Sequence, residues 1–255
     1  MSDVRWNVTF EIFRKKGDEP THFDAFKLEV DPDEYLLDGV ERIWAFHDKS
    51  VVFRHACHHS TCGACGMRVN GVEKLTCITP IREVTSDGGV VRIEPLRNFP
   101  VVSDLAVDMG KLYLDMDLVG HHSVNPDTME AIQAEARPFG PVSDGQDFVR
   151  LSDCIECGLC ISACPISSST DAYLGPAVLA GAQQCGLAGN DSLLCLVDHQ
   201  DGVWRCHSAF ECTAVCPSFV DPGWRIMELR KQVIIEKVKR LFSRSSSQKQ
   251  LEVEK

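Results

Sequence analysis

A chain of 255 residues, 25% charged and 44% hydrophobic, has the balance of a folded soluble protein and room for two modest domains. Its net charge of −11 repels phosphate backbones and excludes nucleic acid as the main partner. No run of about eighteen apolar residues occurs, so no membrane span is predicted, and MSDVRWNVTFEIFRKKGDE has neither a secretory apolar core nor the acid-poor character of a transit peptide.

VRWNVTFEI sets Val4, Trp6, Val8, Phe10 and Ile12 at period two, the pattern of a half-buried strand. After the turn KKGDEP, the residues Phe26, Leu28 and Val30 repeat it, which predicts a hairpin over residues 4–30. DPDE then predicts a helix start, with Asp31 as N-cap, Pro32 at the first helical position and Glu34 three residues after the cap. Leu36, Leu37, Val40, Ile43 and Trp44 follow at helical spacing. Residues 51–96 return to short β-like stretches, VVF, MRV and VVRI, so residues 1–105 read as one compact mixed domain. Residues 106–242 are helical stretches broken by Pro and Gly, and residues 243–255 are expected to be a mobile tail. MELRKQVIIEKVKRLFSR is locally basic and is read as a solvated helix face in preference to a segment lying near anionic headgroups.

Thirteen cysteines are clustered, not scattered as paired half-cystines would be. With no export signal the expected compartment is reducing, which favours metal ligation over disulfides. The first set is Cys57-x4-Cys62-x2-Cys65 followed by Cys77, the spacing of plant-type 2Fe-2S ferredoxins. Gly63 and Gly66 suit the close backbone approach that such a loop makes. A zinc site is poorly served by the x4 spacing. His58 and His59 raise a Rieske-type alternative, but four cysteines are already available and both histidines are read as non-ligands.

The second set, Cys154-x2-Cys157-x2-Cys160-x3-Cys164-Pro165, is the full bacterial ferredoxin run. The third, Cys206, Cys212 and Cys216-Pro217, repeats it with Ala209 where the second cysteine belongs. In two-cluster ferredoxins the fourth cysteine of each run ligates the other cluster. One site then takes Cys154, Cys157, Cys160 and Cys216, a complete 4Fe-4S set; the other takes Cys164, Cys206 and Cys212. Three thiolates fit a 3Fe-4S cluster, or a 4Fe-4S cluster with one open iron. Cys185 and Cys195 are read as buried free thiols.

Three such sets in this order closely resemble the iron-sulfur subunit of succinate dehydrogenase and fumarate reductase. The likeness extends to PLRNFPVVSDLAVDM, YLGPAVLAGAQ and RCHSAFECTAVCP. It implies an α+β chain, with a plant-type ferredoxin-like β-grasp domain followed by an α-helical bacterial-ferredoxin-like domain. It favours 3Fe-4S at the three-thiol site. It also implies an FAD-bearing dicarboxylate subunit, a membrane anchor subunit, and a quinone site to which Pro165 and His207 correspond. The chain would then be peripheral on the cytoplasmic face of the inner or plasma membrane. Ser169 stands where ubiquinone-using members carry a tryptophan, which points to menaquinone. A soluble thiol-linked fumarate or heterodisulfide-type reductase is the competing reading. Such proteins usually add a module with adjacent cysteines, and no CC pair occurs here.

Overall fold

The computed structural model describes residues 4–121 and 154–253, with side chains through 242. Strands β1 (Trp6–Arg14) and β2 (His22–Val30) form the expected antiparallel hairpin, with Phe10 opposite Phe26. Val8, Phe10 and Ile12 point into the core, while Val4 at the strand's approach is exposed. Strands β3 (Gly66–Val69), β4 (Val72–Leu75) and β5 (Val90–Glu94) complete a five-stranded sheet in the order β2-β1-β5-β3-β4. Among the described residues β1 and β5 run parallel in that sheet, and the other pairings are antiparallel. VVF at residues 51–53 forms no strand.

Helix α1 (Leu36–Arg42) crosses the sheet where Gly39 meets the Phe10 ring; a Cβ there would stand 2.6 Å from a ring carbon. Its start differs from the sequence expectation. Asp31 builds a turn, accepting from the Asp33 amide at 2.9 Å, and the helix begins after Tyr35, whose amide donates to Asp38 Oδ2 at 3.1 Å. The helix ends in a π-turn over Ile43–His47, which leaves Trp44 exposed.

Arg14 closes this domain's edge. Its guanidinium donates to Asp24 and Asp48, each at 2.6 Å, and to Ser50 Oγ at 2.7 Å. Nearby, the wholly buried Asp104 accepts from the Lys15 and Val52 amides at 3.0 and 2.9 Å and pairs with Lys16 Nζ at 2.8 Å. Burial alone would raise the Asp104 pKa, but these donors and Arg14 outweigh it and hold the carboxyl below its ordinary value. Asp104 therefore fixes residues 51–53, the approach to the first cysteine loop. Asp104→Ala should strand its buried partners and cost about 3–5 kcal/mol. A fall in the melting temperature of several degrees would register that loss, and an unchanged melt would contradict it.

The short strands β6 (Val101–Ser103) and β7 (Ala106–Val107) lead into α2 (Gly110–Leu118). The second half is helical: α3 (Leu159–Ala163), α4 (Pro176–Cys185), α5 (Asp191–Val197), α6 (Glu211–Ala214) and α7 (Pro222–Val253). Leu105 packs in the sheet's core and Val107 in the helical one. That helical core also takes in Leu37, Leu75 and Leu96 from the first half. Helix α7 carries the backbone through 243–253, the segment expected to be a mobile tail.

The basic segment proves to be part of α7. Its Lys231 and Lys239 pair with Glu228 and Glu236 at 2.5 and 2.7 Å, and Lys237 reaches Asp198 at 2.8 Å. On the same helix Ile234, Ile235, Val238, Leu241 and Phe242 are exposed at helical spacing, so it carries an apolar stripe as well as charge. No helix is long and apolar enough to cross a membrane among the described residues.

Candidate metal centres

The first cysteine set is assembled by a hairpin. Asn70 and Gly71, both with positive φ, make the tight turn between β3 and β4, and the register places Gly66 opposite Leu75. Cys65 and Cys77 flank that pair. Both Thr76 donors, amide and hydroxyl, bind the Cys65 carbonyl, at 3.2 and 3.0 Å, and this draws Cys77 against Cys65. The loop from Cys57 winds through left-handed His58, Ser60 and Gly63. That winding aims the His59 and Thr61 amides at Cys57 Sγ, at 3.4 and 3.3 Å.

The Thr61 side chain first, then the His59 amide, holds the Cys57 thiol down to about 5. Burial and the neighbouring Cys65 push Cys77 up to about 12. Cys62 is exposed, whereas Cys65 and Cys77 are buried. The loop reaches the second half directly. A Cβ on Gly63 would stand 2.7 Å from the Ile155 carbonyl oxygen and 2.8 Å from Cys157 Cβ.

In the helical half two cavities divide the remaining predicted ligands. Cys154, Cys157, Cys160 and Cys216 line one, closed by apolar residues that include Met116, Ala177, Ala180 and Val220. Cys164, Cys206 and Cys212 line the other, with Ala209, Tyr173 and Ile226. Glu156 and Gly158 are left-handed in the first run, and Ser208 and Phe210 are left-handed at the corresponding places in the second. Phe210, an unfavoured residue for that conformation, repeats what glycine does at 158. The backbone of the cysteine loop is thus kept where its second thiol is missing.

Burial is the chief reason Cys154, Cys157 and Cys160 resist ionising. It pushes Cys154 up to about 11, Cys157 to about 12 and Cys160 well above its ordinary value, with mutual repulsion adding to it. Cys212 is raised to about 11 in the same way. Converging buried and half-buried thiols, none paired as disulfides, suit a cationic metal group, whose charge would reverse those shifts. The donor sets therefore fit iron-sulfur clusters.

The linker between the halves is bonded to α3. The Arg97 amide donates to Ser162 Oγ at 2.8 Å, and Ser162 Oγ donates to buried Glu73 at 2.9 Å. Asn98 Nδ2 donates to the Ile161 and Cys164 carbonyls at 2.7 and 3.1 Å, capping the end of the helix between two cysteines.

The family of 2Fe-2S iron-sulfur cluster binding domains matches residues 9–114, and that of 4Fe-4S dicluster domains matches residues 150–220. The fumarate reductase iron-sulfur subunit of Mycobacterium tuberculosis is 32% identical over 90% of this chain and 93% of its own. The chain belongs to the succinate dehydrogenase and fumarate reductase iron-sulfur subunits. The fumarate reductase subunit of Haemophilus influenzae is 30% identical, covering 91% of this chain and 96% of its own. The Mycobacterium smegmatis Sdh1 complex in the apo form shares the fold, with a TM-score of 0.73 at 22% identity over 92% of this chain and 98% of that one. The protein is therefore a subunit of an oxidoreductase complex and carries 2Fe-2S and 4Fe-4S cluster domains.

Of the quinone-site residues suggested by resemblance, Pro165 and His207 line the three-thiol cavity and are exposed. Ser169 is exposed but does not line it, and its hydroxyl donates to the Ile166 carbonyl at 2.7 Å. Cys185 and Cys195 are exposed, not buried as their apolar sequence surroundings suggested. Two residues of the iron-sulfur subunit escape sequence reasoning. Tyr173 is buried beside Cys206 and Cys164; burial first, then the electrostatic influence of those two cysteines, raises its pKa. Arg230 on α7 donates to the Cys206 carbonyl and, at 3.1 Å, to that of Val203. Neither lies near a cysteine in sequence.

Proposed function

We propose that this subunit relays electrons within a membrane-bound succinate:quinone or quinol:fumarate oxidoreductase, between an FAD-bearing dicarboxylate subunit and a quinone site beside a membrane anchor. When bound, 2Fe-2S on Cys57, Cys62, Cys65 and Cys77, 4Fe-4S on Cys154, Cys157, Cys160 and Cys216, and 3Fe-4S on Cys164, Cys206 and Cys212 supply the one-electron steps. The observation that carries this reading is the adjacency of the three thiol groups, with Gly63 against Cys157 joining the first to the second. The chain's own residues fix those spacings and aim amide donors at the sulfurs. Met116, Tyr173, Ile226 and their neighbours line the two inner cavities.

The three-thiol cavity opens beside exposed Pro165, His207, Ala209 and Phe210. That supports a quinone arriving there, with the apolar stripe of α7 as a seat for the anchor. The chain would then sit peripherally on the cytoplasmic face of the inner or plasma membrane. Ser169, small where a tryptophan is expected by resemblance, supports menaquinone.

Electron paramagnetic resonance of the anaerobically purified complex tests the assignment. The oxidised sample should give a signal that disappears on mild reduction, followed by signals from the other reduced centres. Silence of the oxidised sample at full iron content would overturn the three-thiol 3Fe-4S assignment. Reduction of ubiquinone analogues alone would overturn menaquinone.

A further inference from the structure

Glu41 on α1 meets two histidines at the entrance of the first cysteine loop. Its Oε1 lies 3.0 Å from His55 Nδ1 and 3.2 Å from His58 Nε2, and the two ring nitrogens are 3.4 Å apart. That oxygen is shielded from solvent and takes no well-aligned hydrogen bond from either ring. Zinc–nitrogen and zinc–oxygen bonds of about 2.0–2.1 Å place neighbouring ligands of a tetrahedral site about 3.3 Å apart. All three spacings lie close to that edge length, so the three atoms describe one face of such a tetrahedron.

The side chains are also held from behind. His55 stacks on Phe53, centroids 5.0 Å apart and planes 21° from parallel, and stands edge-on to His58 at 5.5 Å. His58 adopts φ +60, a conformation that a histidine takes at some cost. Glu41 is half-buried while both histidines are exposed, so an ion can enter from solvent.

We propose that Glu41, His55 and His58 form a binding site for zinc, with the fourth position open to water or to a ligand from a partner. Two imidazoles and a carboxylate are a donor set suited to zinc, with no thiol among them to attract iron-sulfur chemistry. A bound ion would tie the loop entering Cys57 to α1.

The assembled complex, washed with EDTA and titrated with zinc chloride, decides the matter. One zinc per chain is expected, with X-ray absorption at the zinc edge reporting nitrogen and oxygen neighbours at about 2.0–2.1 Å. Loss of an outer-shell partner alone costs about 10–100-fold in metal affinity. Glu41→Gln and His55→Ala should therefore each weaken binding by roughly 100-fold or more, with iron and labile sulfide unchanged. If His55→Ala disturbs the neighbouring cysteine loop and loses iron, Glu41→Gln carries the test from a different element. Unchanged zinc affinity in Glu41→Gln, or sulfur neighbours at about 2.3 Å, would overturn the proposal.

Discussion

With the proposed 3Fe-4S cluster at the three-thiol site, Ala209→Cys is expected to add one iron per chain and to abolish the paramagnetism that such a cluster gives the oxidised protein. The reason is local. Residue 209 lies between left-handed Ser208 and Phe210, as Cys157 lies between left-handed Glu156 and Gly158. It lines the cavity that already holds Cys164, Cys206 and Cys212, and it is exposed, so one sulfur atom meets no packed core. A fourth thiolate changes both nuclearity and charge, two of the levers on cluster potential. For a one-electron step each 59 mV is tenfold in equilibrium, so a fall of about 120 mV would make electron delivery to this site roughly 100-fold less favourable. Iron analysis, oxidised-state paramagnetic resonance and quinone reduction should change together. An unchanged iron content with residue 209 open to alkylation would refute the match between the two loops.

Gly63→Ala should damage both stability and the contact between the first two cysteine sites. The new Cβ would press on the Ile155 carbonyl oxygen and on Cys157 Cα and Cβ, at 2.7–2.9 Å, and none of these is the tip of a flexible side chain. The position also has φ +67, which costs an alanine about 1–2 kcal/mol. Overpacking adds about 1–3 kcal/mol, for a total of about 2–5 kcal/mol. Gly88→Ala separates the two contributions, because Gly88 has φ +72 with nothing within 4 Å. The expected result is a modest loss of melting temperature for Gly88→Ala. Gly63→Ala should show a larger loss, together with slower reduction of the second cysteine site in freeze-quench paramagnetic resonance. Equal melts and equal rates for the two variants would show that the loops do not touch as described.

Much of the site was legible because ligand spacing within one loop is a nearly covalent constraint. The interleaving of Cys216 with the first run, and of Cys164 with the second, also followed from the ferredoxin pattern and matches the two cavities. The hairpin over residues 4–30 was readable from period two alone. The DPDE reading placed the helix start too early, since Asp31 and Glu34 satisfy a turn as readily as a helix end. Tertiary position was hidden altogether. Nothing in LLCLV shows that Cys195 faces outward, and nothing links Glu41 to His55 and His58 before α1 is laid beside the loop.

The helical core takes Leu37, Leu75 and Leu96 from the first half, and Gly66 lies against Leu159. During synthesis the first half leaves the ribosome ahead of the second. Its sheet can close on its own core at once, but the flank bearing Cys65 and Cys77 stays bare until α3 has been made. A chain stopped short of residue 159 would present a sticky apolar flank together with thiols ready to scavenge metal. Newborn chains therefore pass through an interval of exposure that the finished subunit never shows.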